Sequence, residues 1–194
     1  MTAVPLVDID VDPKDLVISR LLRAPRAALW RAWTDPERLA AWWCPKPWTT
    51  EVRAFDLRPG GAFHTVMQGP DGGRSDNPGC FIDVEPQRRL VFSSLMTEGW
   101  RPATPWLAFT ATIELADEAD GTRYVATVMH PDAATRDRHA EMGFFEGWNT
   151  CIDQLEALAR TAGGAAAIKA PRSIAVAAGA ASAHPAPGSP ASPK

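Results

Sequence analysis

Residues 130–158, HPDAATRDRHAEMGFFEGWNTCIDQLEAL, constrain the fold more than any other part of the chain. Met142, Phe145, Trp148, Ile152, Leu155 and Leu158 recur at steps of three and four, which lays one apolar stripe along a long helix. Asn149, Asp153, Glu156 and Arg160 fall on the opposite side, as a solvated face should. A helix that starts with Met, Phe and Trp needs a broad apolar partner, and the strands upstream can supply one. The spacing predicts a helix from about residue 132 to 161, stopped by Gly163-Gly164. Gly143 and Gly147 lie inside it, where they mark a bend or let the helix start approach a neighbour closely.

Upstream, residues 16–23 read as a strand. Ala24-Pro25 opens a helix with proline at its first position, carrying Leu29, Trp30 and Trp33. Asp35 is the expected N-cap of a second helix with Leu39, Trp42 and Trp43, stopped by Pro45 and Pro47. Six strand-like segments follow at residues 50–57, 62–68, 80–85, 89–96, 106–115 and 122–130, separated by turn signals. The last two pair around Asp120-Gly121, a hairpin signal. The order is strand, two short helices, six strands, long helix. It implies an α+β fold in which a curved antiparallel sheet of about seven strands wraps the C-terminal helix, the helix-grip architecture.

At 194 residues, one domain with appendages is expected. Residues 1–13 form an acidic arm, 14–162 the domain, and 163–194 a tail rich in Ala, Pro, Gly and Ser. The tail has too few large apolar residues to offset its ordering entropy, and disorder is expected there. The formal net charge of −3 argues against a nucleic-acid surface. No apolar run approaches the roughly 20 residues of a membrane helix, and the acidic start is not a signal peptide. Three separated cysteines, Cys44, Cys80 and Cys151, read as reduced thiols of a cytoplasmic protein. Eight tryptophans against one tyrosine is unusual and suggests that several line a pocket or cap its mouth.

Three motifs, LWRAWTDPERLAAWWCP, DLRPGGAF and HAEMGFFEGWN, occur in that order. With them the chain resembles the bacterial homologues of the heat-shock chaperone ATPase activator, AHSA-like proteins of the SRPBCC superfamily. START domains, polyketide cyclases and birch-pollen-allergen-like proteins share that superfamily. The resemblance covers about residues 14–162 and implies the helix-grip fold. It implies little about activity, because lipid carriers, cyclases, hydrolases and chaperone partners share this fold.

Strand alternation assigns faces. Phe63, Thr65 and Met67 share one; Leu90, Phe92, Ser94 and Met96 another; Phe109, Ala111, Ile113 and Leu115 a third; Tyr124, Ala126, Val128 and His130 a fourth. Such sets are either plain core or the wall of a cavity under the helix. Leu155 and Leu158 are expected in solid core. The expected cavity has Phe145 and Trp148 on one side and Phe63, Phe92 and Phe109 on the other. Met67, Met96 and Met142 adapt its shape, and His130 fixes a ligand's orientation.

His130 is the best acid–base candidate, since it ends an inward-facing strand just before the helix; the alternative is that it bonds the strand-to-helix turn. His139 faces either inward or solvent, and His64 outward. Nothing in the spacing of these histidines makes a metal site. No nucleophile elbow and no phosphate-cradling loop is present, so no cofactor is expected. Asp56 and Arg58 read as a tie at the sheet edge, and Cys151 as a small buried apolar residue. Binding of a small hydrophobic or aromatic molecule, by a monomer or homodimer, is the first reading. A cyclase- or hydrolase-type enzyme using His130 is the second. A chaperone partner is the third, because the eukaryotic activators carry an additional N-terminal domain and only a short arm precedes the first strand here. Removing residues 165–194 is expected to leave stability unchanged within about 0.5 kcal/mol, the scale of changes away from packed features. A lowered melting temperature of the truncated protein would show that the tail packs on the domain.

Overall fold

A computed structural model describes residues 11–167, with side chains described through Thr161. The arm at 1–13 therefore lies largely, and the tail at 163–194 mostly, outside the described residues. Strand β1 (Asp15–Leu22) leads into helices α1 (Arg26–Thr34) and α2 (Pro36–Ala40). Strands β2 (Thr49–Phe55), β3 (Phe63–Gln68), β4 (Arg74–Asn77), β5 (Cys80–Glu85) and β6 (Arg89–Ser93) follow. A small ribbon, β7 (Met96–Thr97) and β8 (Arg101–Pro102), precedes the long hairpin of β9 (Thr110–Glu118) and β10 (Gly121–Met129). Helices α3 (Ala133–Glu141) and α4 (Phe144–Ala167) close the fold.

Local chemistry accounts for the short elements. Asp35 Oδ1 accepts from the Glu37 and Arg38 backbone N–H groups at 3.0 and 3.3 Å, with Pro36 in the first turn, so α2 is capped as expected. Pro25 sits one position earlier than expected. With ψ of 137° it is extended, and its carbonyl accepts from Ala28 N and Leu29 N, so it caps α1 from outside. The β9–β10 hairpin turns beside Gly121, whose φ is +152°; a Cβ there would stand 2.0 Å from the Leu22 carbonyl oxygen, so only glycine fits.

The main sheet is antiparallel in the order β1-β10-β9-β6-β5, and a second runs β2-β3-β4. An Ala62–Cys80 bridge and the Phe63 N to Gly79 O bond (3.0 Å) join them into one curved surface. Alternation reads out as burial. Thr122, Tyr124, Ala126 and Val128 face inward from β10, and Ala111, Ile113 and Leu115 from β9.

Helix α4 lies on that face and is held at its flanks. Arg20 pairs with Asp153 at 2.7 Å, Glu156 accepts from Arg23 N at 2.8 Å, and Gln154 Nε2 donates to the Trp42 and Cys44 carbonyls at 3.0 and 2.8 Å. Trp33 of α1 and Trp42, just past α2, are fully buried and meet edge to face at 4.7 Å, and Trp42 Nε1 donates to the Ala32 carbonyl.

The structure differs from the sequence expectation at several further elements, among them α2, which ends at Ala40 before Trp42 and Trp43. The final helix is two helices, because Gly143 adopts φ +87° and ends α3. Helix α4 continues past Gly163-Gly164, since glycine permits a left-handed stop without requiring one and an alanine run follows. Polar β4 and the β7–β8 ribbon carry no apolar alternation, which hides them from a periodicity argument. The segment expected from residue 106 becomes strand only at Thr110. Before it, Ser94 Oγ takes the place of a ladder partner, donating to Leu107 O and accepting from Phe109 N.

The buried stripe is also shifted. It comprises Phe144, Cys151, Ile152, Leu155 and Ala159, with Trp148 and Leu158 half-buried. Leu155 and Ile152 are fully buried in the closed half of the helix–sheet interface. Leu155→Ala is expected to destabilise the domain by about 2–5 kcal/mol, the cost of emptying a packed leucine site. Chemical denaturation measures it, and a near-neutral result would contradict the packing of this helix face.

Candidate functional site: a cavity under the helix elbow

Where α3 gives way to α4 the helix lifts from the sheet and leaves a cavity of about 520 Å³. Its floor comes from β3 (Phe63, Thr65, Met67) and the end of β6 (Phe92, Ser93, Ser94). Trp43 and Pro45 close one side, the loop through Trp106, Leu107 and Phe109 another, and His139, Phe144, Trp148 and Cys151 form the roof. The apolar walls are mutually packed aromatics. Trp43 meets Trp148 at 5.6 Å and Phe92 at 5.9 Å, Phe63 meets Phe92 at 4.9 Å, and Phe144 meets Trp148 at 5.3 Å between ring centroids. Three of these pairs are edge to face and Phe144–Trp148 is tilted, so each ring is wedged by its neighbours.

Gly143 is the local cause of this roof. A left-handed residue between two helices changes the phase of the one that follows. Phe144 then points inward, 3% exposed, and Phe145 outward, 46% exposed.

Of the residues expected at the site, Phe63, Met67, Phe92, Phe109, Met142 and Trp148 line the cavity. Met142 stands at its rim, well exposed. Three expected residues are not on the wall. Phe145 gives way to Phe144 for the reason just stated. Met96 belongs to the β7–β8 ribbon, pairing with Pro102, because β6 ends at Ser93 and the alternation from Leu90 is not carried to Met96. His130 is buried at the end of β10, behind the wall. Its Nδ1 donates to the Lys14 carbonyl at 2.9 Å, and its Nε2 lies 2.9 Å from His139 Nδ1. His139 carries the imidazole that reaches the cavity, between Phe109 and Phe144.

The electrostatics of the wall are simple. Among the described residues, the ionisable side chains on it are Asp76, His139 and Cys151, and no Lys or Arg lines it. Asp76 is held by His64 at 2.6 Å and Arg74 at 3.1 Å, and the hydrogen bond from His64 leads the causes that lower its pKa. Burial pushes the Cys151 thiol up to about 12, so it is a neutral, unreactive group. Burial, and then the neighbouring His130 imidazole, bring His139 down to about 4. Ser93 and Ser94 spend their hydroxyl protons on the Phe109 and Leu107 carbonyls. No group of three or more His, Cys, Asp or Glu among the described residues is placed to hold a metal ion. Outside the cavity, Arg58 pairs with Asp56 at 2.7 Å across the turn before β3.

Sequence reasoning missed Trp43, Phe144 and Leu107. For Phe144 the signal was Gly143. A helix break there makes either member of the Phe144-Phe145 pair eligible to face inward. Trp43 and Leu107 sit in loops, where periodicity carries no facing information.

A sheet gripping a C-terminal helix, with a cavity under the helix start, defines a helix-grip domain of the SRPBCC type. The chain belongs to the family described as Activator of Hsp90 ATPase homolog 1-like protein, whose model matches residues 23–160. Among similar solved structures, a Nitrosomonas europaea protein is 45% identical, covering 78% of this chain and 97% of its own, with a TM-score of 0.74. A Mycobacterium smegmatis protein is 28% identical, covering 80% of this chain and 96% of its own, with a TM-score of 0.66. The AHSA1-like protein of Aeromonas hydrophila shares the fold at 24% identity, covering 77% of this chain and 94% of its own, with a TM-score of 0.59. No curated protein matches the chain. No helix among the described residues is long and apolar enough to cross a membrane.

The depressed pKa of His139 gives a pH dependence with a definite sign. Between about 4 and the ordinary histidine value of 6.5, the unfolded chain takes up a proton at this site that the folded chain refuses. Stability is therefore expected to fall as pH is lowered through that window. Imidazole NMR titration should place the His139 midpoint near 4; a midpoint near 6.5 would contradict its burial against His130.

Proposed function

We propose that the domain binds a small hydrophobic or aromatic molecule in the cavity beneath the α3–α4 elbow. One observation carries this reading: an aromatic-walled space of about 520 Å³ lies where a fully packed core would otherwise be. That volume falls in the range of small-molecule sites, roughly 300–1,000 Å³. The walls offer apolar area, and Met67 and Met142 offer adaptable thioethers at the edges. Three free, buried cysteines among the described residues support a reducing, cytoplasmic compartment.

An enzymatic role for His130 has less support, because both its ring nitrogens are engaged by Lys14 and His139. His139, down at about 4, would be a weak general base at neutral pH. The family description supports a second reading, partnership with a chaperone. Pull-down from a cell lysate with and without a cavity ligand separates the two.

Titration with a panel of aromatic and aliphatic compounds, followed by ligand-detected NMR, tests the binding reading. Saturable hits are expected. Phe144→Ala should weaken them several-fold, since it removes a wall, whereas Phe145→Ala, on the outer surface, should change them little. A panel without saturable binding, or hits that bind unchanged to Phe144→Ala, would defeat the proposal.

A further inference from the structure

One polar group on the cavity wall has its hydrogen-bonding role fixed by its neighbours, whereas the Thr65 hydroxyl there is free to donate or accept. A backbone carbonyl can only accept, so the Lys14 oxygen requires the proton of His130 to sit on Nδ1. In neutral His130 the other nitrogen, Nε2, is then a bare acceptor. It lies 2.9 Å from His139 Nδ1, which must therefore carry the proton of that contact. In neutral His139 the remaining nitrogen, Nε2, is left unprotonated, and it has no partner among the described residues. Two imidazoles and one carbonyl thus fix the tautomer of a histidine on the cavity wall. Its burial keeps it unprotonated at neutral pH.

The other polar groups point to the same ligand chemistry. The hydroxyls of Ser93 and Ser94 already donate to main-chain carbonyls. The Asn77 carbonyl oxygen already accepts from Trp106 Nε1 and Ser75 Oγ at 3.2 and 3.0 Å. Among the described residues no Lys or Arg lines the wall, and the one carboxylate there, Asp76, already takes up Arg74 and His64. A ligand carboxylate entering this space would lose its water without gaining a counter-charge. A neutral ligand with an O–H or N–H group would find a fixed acceptor.

We infer that the cavity selects uncharged ligands that carry a hydroxyl or N–H donor on an apolar ring body. His139 Nε2 receives that donor, and His130 acts as the residue positioning it. The inference rests on the binding reading above and narrows it to phenol-like or alcohol-like molecules, excluding fatty-acid anions.

Calorimetric titration of the full chain with 2-naphthol, 2-methoxynaphthalene and 2-naphthoate tests it, because the three share one ring system. The naphthol is expected to bind roughly three- to tenfold tighter than the methoxy compound, the worth of one hydrogen bond. The naphthoate should bind weakest. In His139→Phe the naphthol preference should vanish while the methoxy compound still binds, and His139→Gln, which keeps an acceptor, should retain part of it. Imidazole ¹⁵N NMR on the unmodified protein reads the tautomer directly, with Nε2 expected as the bare nitrogen of His139. Saturable binding without a naphthol preference, tightest binding of the naphthoate, or a His139 with bare Nδ1 would each overturn this inference and leave the cavity reading standing. Failure of all three probes to bind would sink both.

Discussion

A helix can lie flush on a concave sheet along only part of its length, and the left-handed turn at Gly143 decides where contact ends. Beyond it, Ile152, Leu155 and Ala159 are buried against the sheet, with Arg20, Arg23 and Gln154 holding the helix flanks. Before it, α3 has no buried residue and its N-terminal turn is capped by Asp132, which accepts from Thr135 N at 2.7 Å. The cavity is the space between those two regimes. A continuous helix through residue 143 would have carried a single stripe, and the roof would have been built from a different face.

The aromatic residues make the space durable. A void lined by flexible aliphatic side chains can collapse, whereas interlocked rings resist it because each ring is wedged by its neighbours. Trp43 is central here. It touches Trp33 and Trp42 in the solid core and Phe63, Phe92 and Trp148 around the cavity. The abundance of tryptophan thus serves both halves of the molecule: Trp33 and Trp42 build core, while Trp43, Trp106 and Trp148 bound the cavity.

Polar groups follow a division of the same kind. Those at the sheet–helix flanks tie elements together through exposed pairs such as Arg20 with Asp153, which contribute little individually. Those at the cavity are engaged locally, Ser93 and Ser94 with main-chain carbonyls and Asp76 with His64 and Arg74. The pair His130–His139 stands apart, because His139, on the wall, is held by a second imidazole that lies behind it.

Sequence alone determined the architecture. Periodicity of two placed the inward faces of β9 and β10, periodicity near 3.6 placed Ile152 and Leu155, and turn chemistry placed Asp35 and Gly121. These are local rules, read from neighbours a few residues apart. Six of the nine residues expected at the site line the cavity. Tertiary structure alone decided the rest. Whether Gly143 would bend or merely accommodate the helix depends on what the helix meets, and that choice exchanged Phe145 for Phe144. Where β6 would end depended on Ser94 meeting Leu107 and Phe109, residues distant in sequence, and that removed Met96 from the wall. Which of two histidines would face the cavity depended on a carbonyl at Lys14, more than a hundred positions from His130. Spacing along a chain encodes the face of an element; it does not encode which distant group will satisfy a hydrogen bond there.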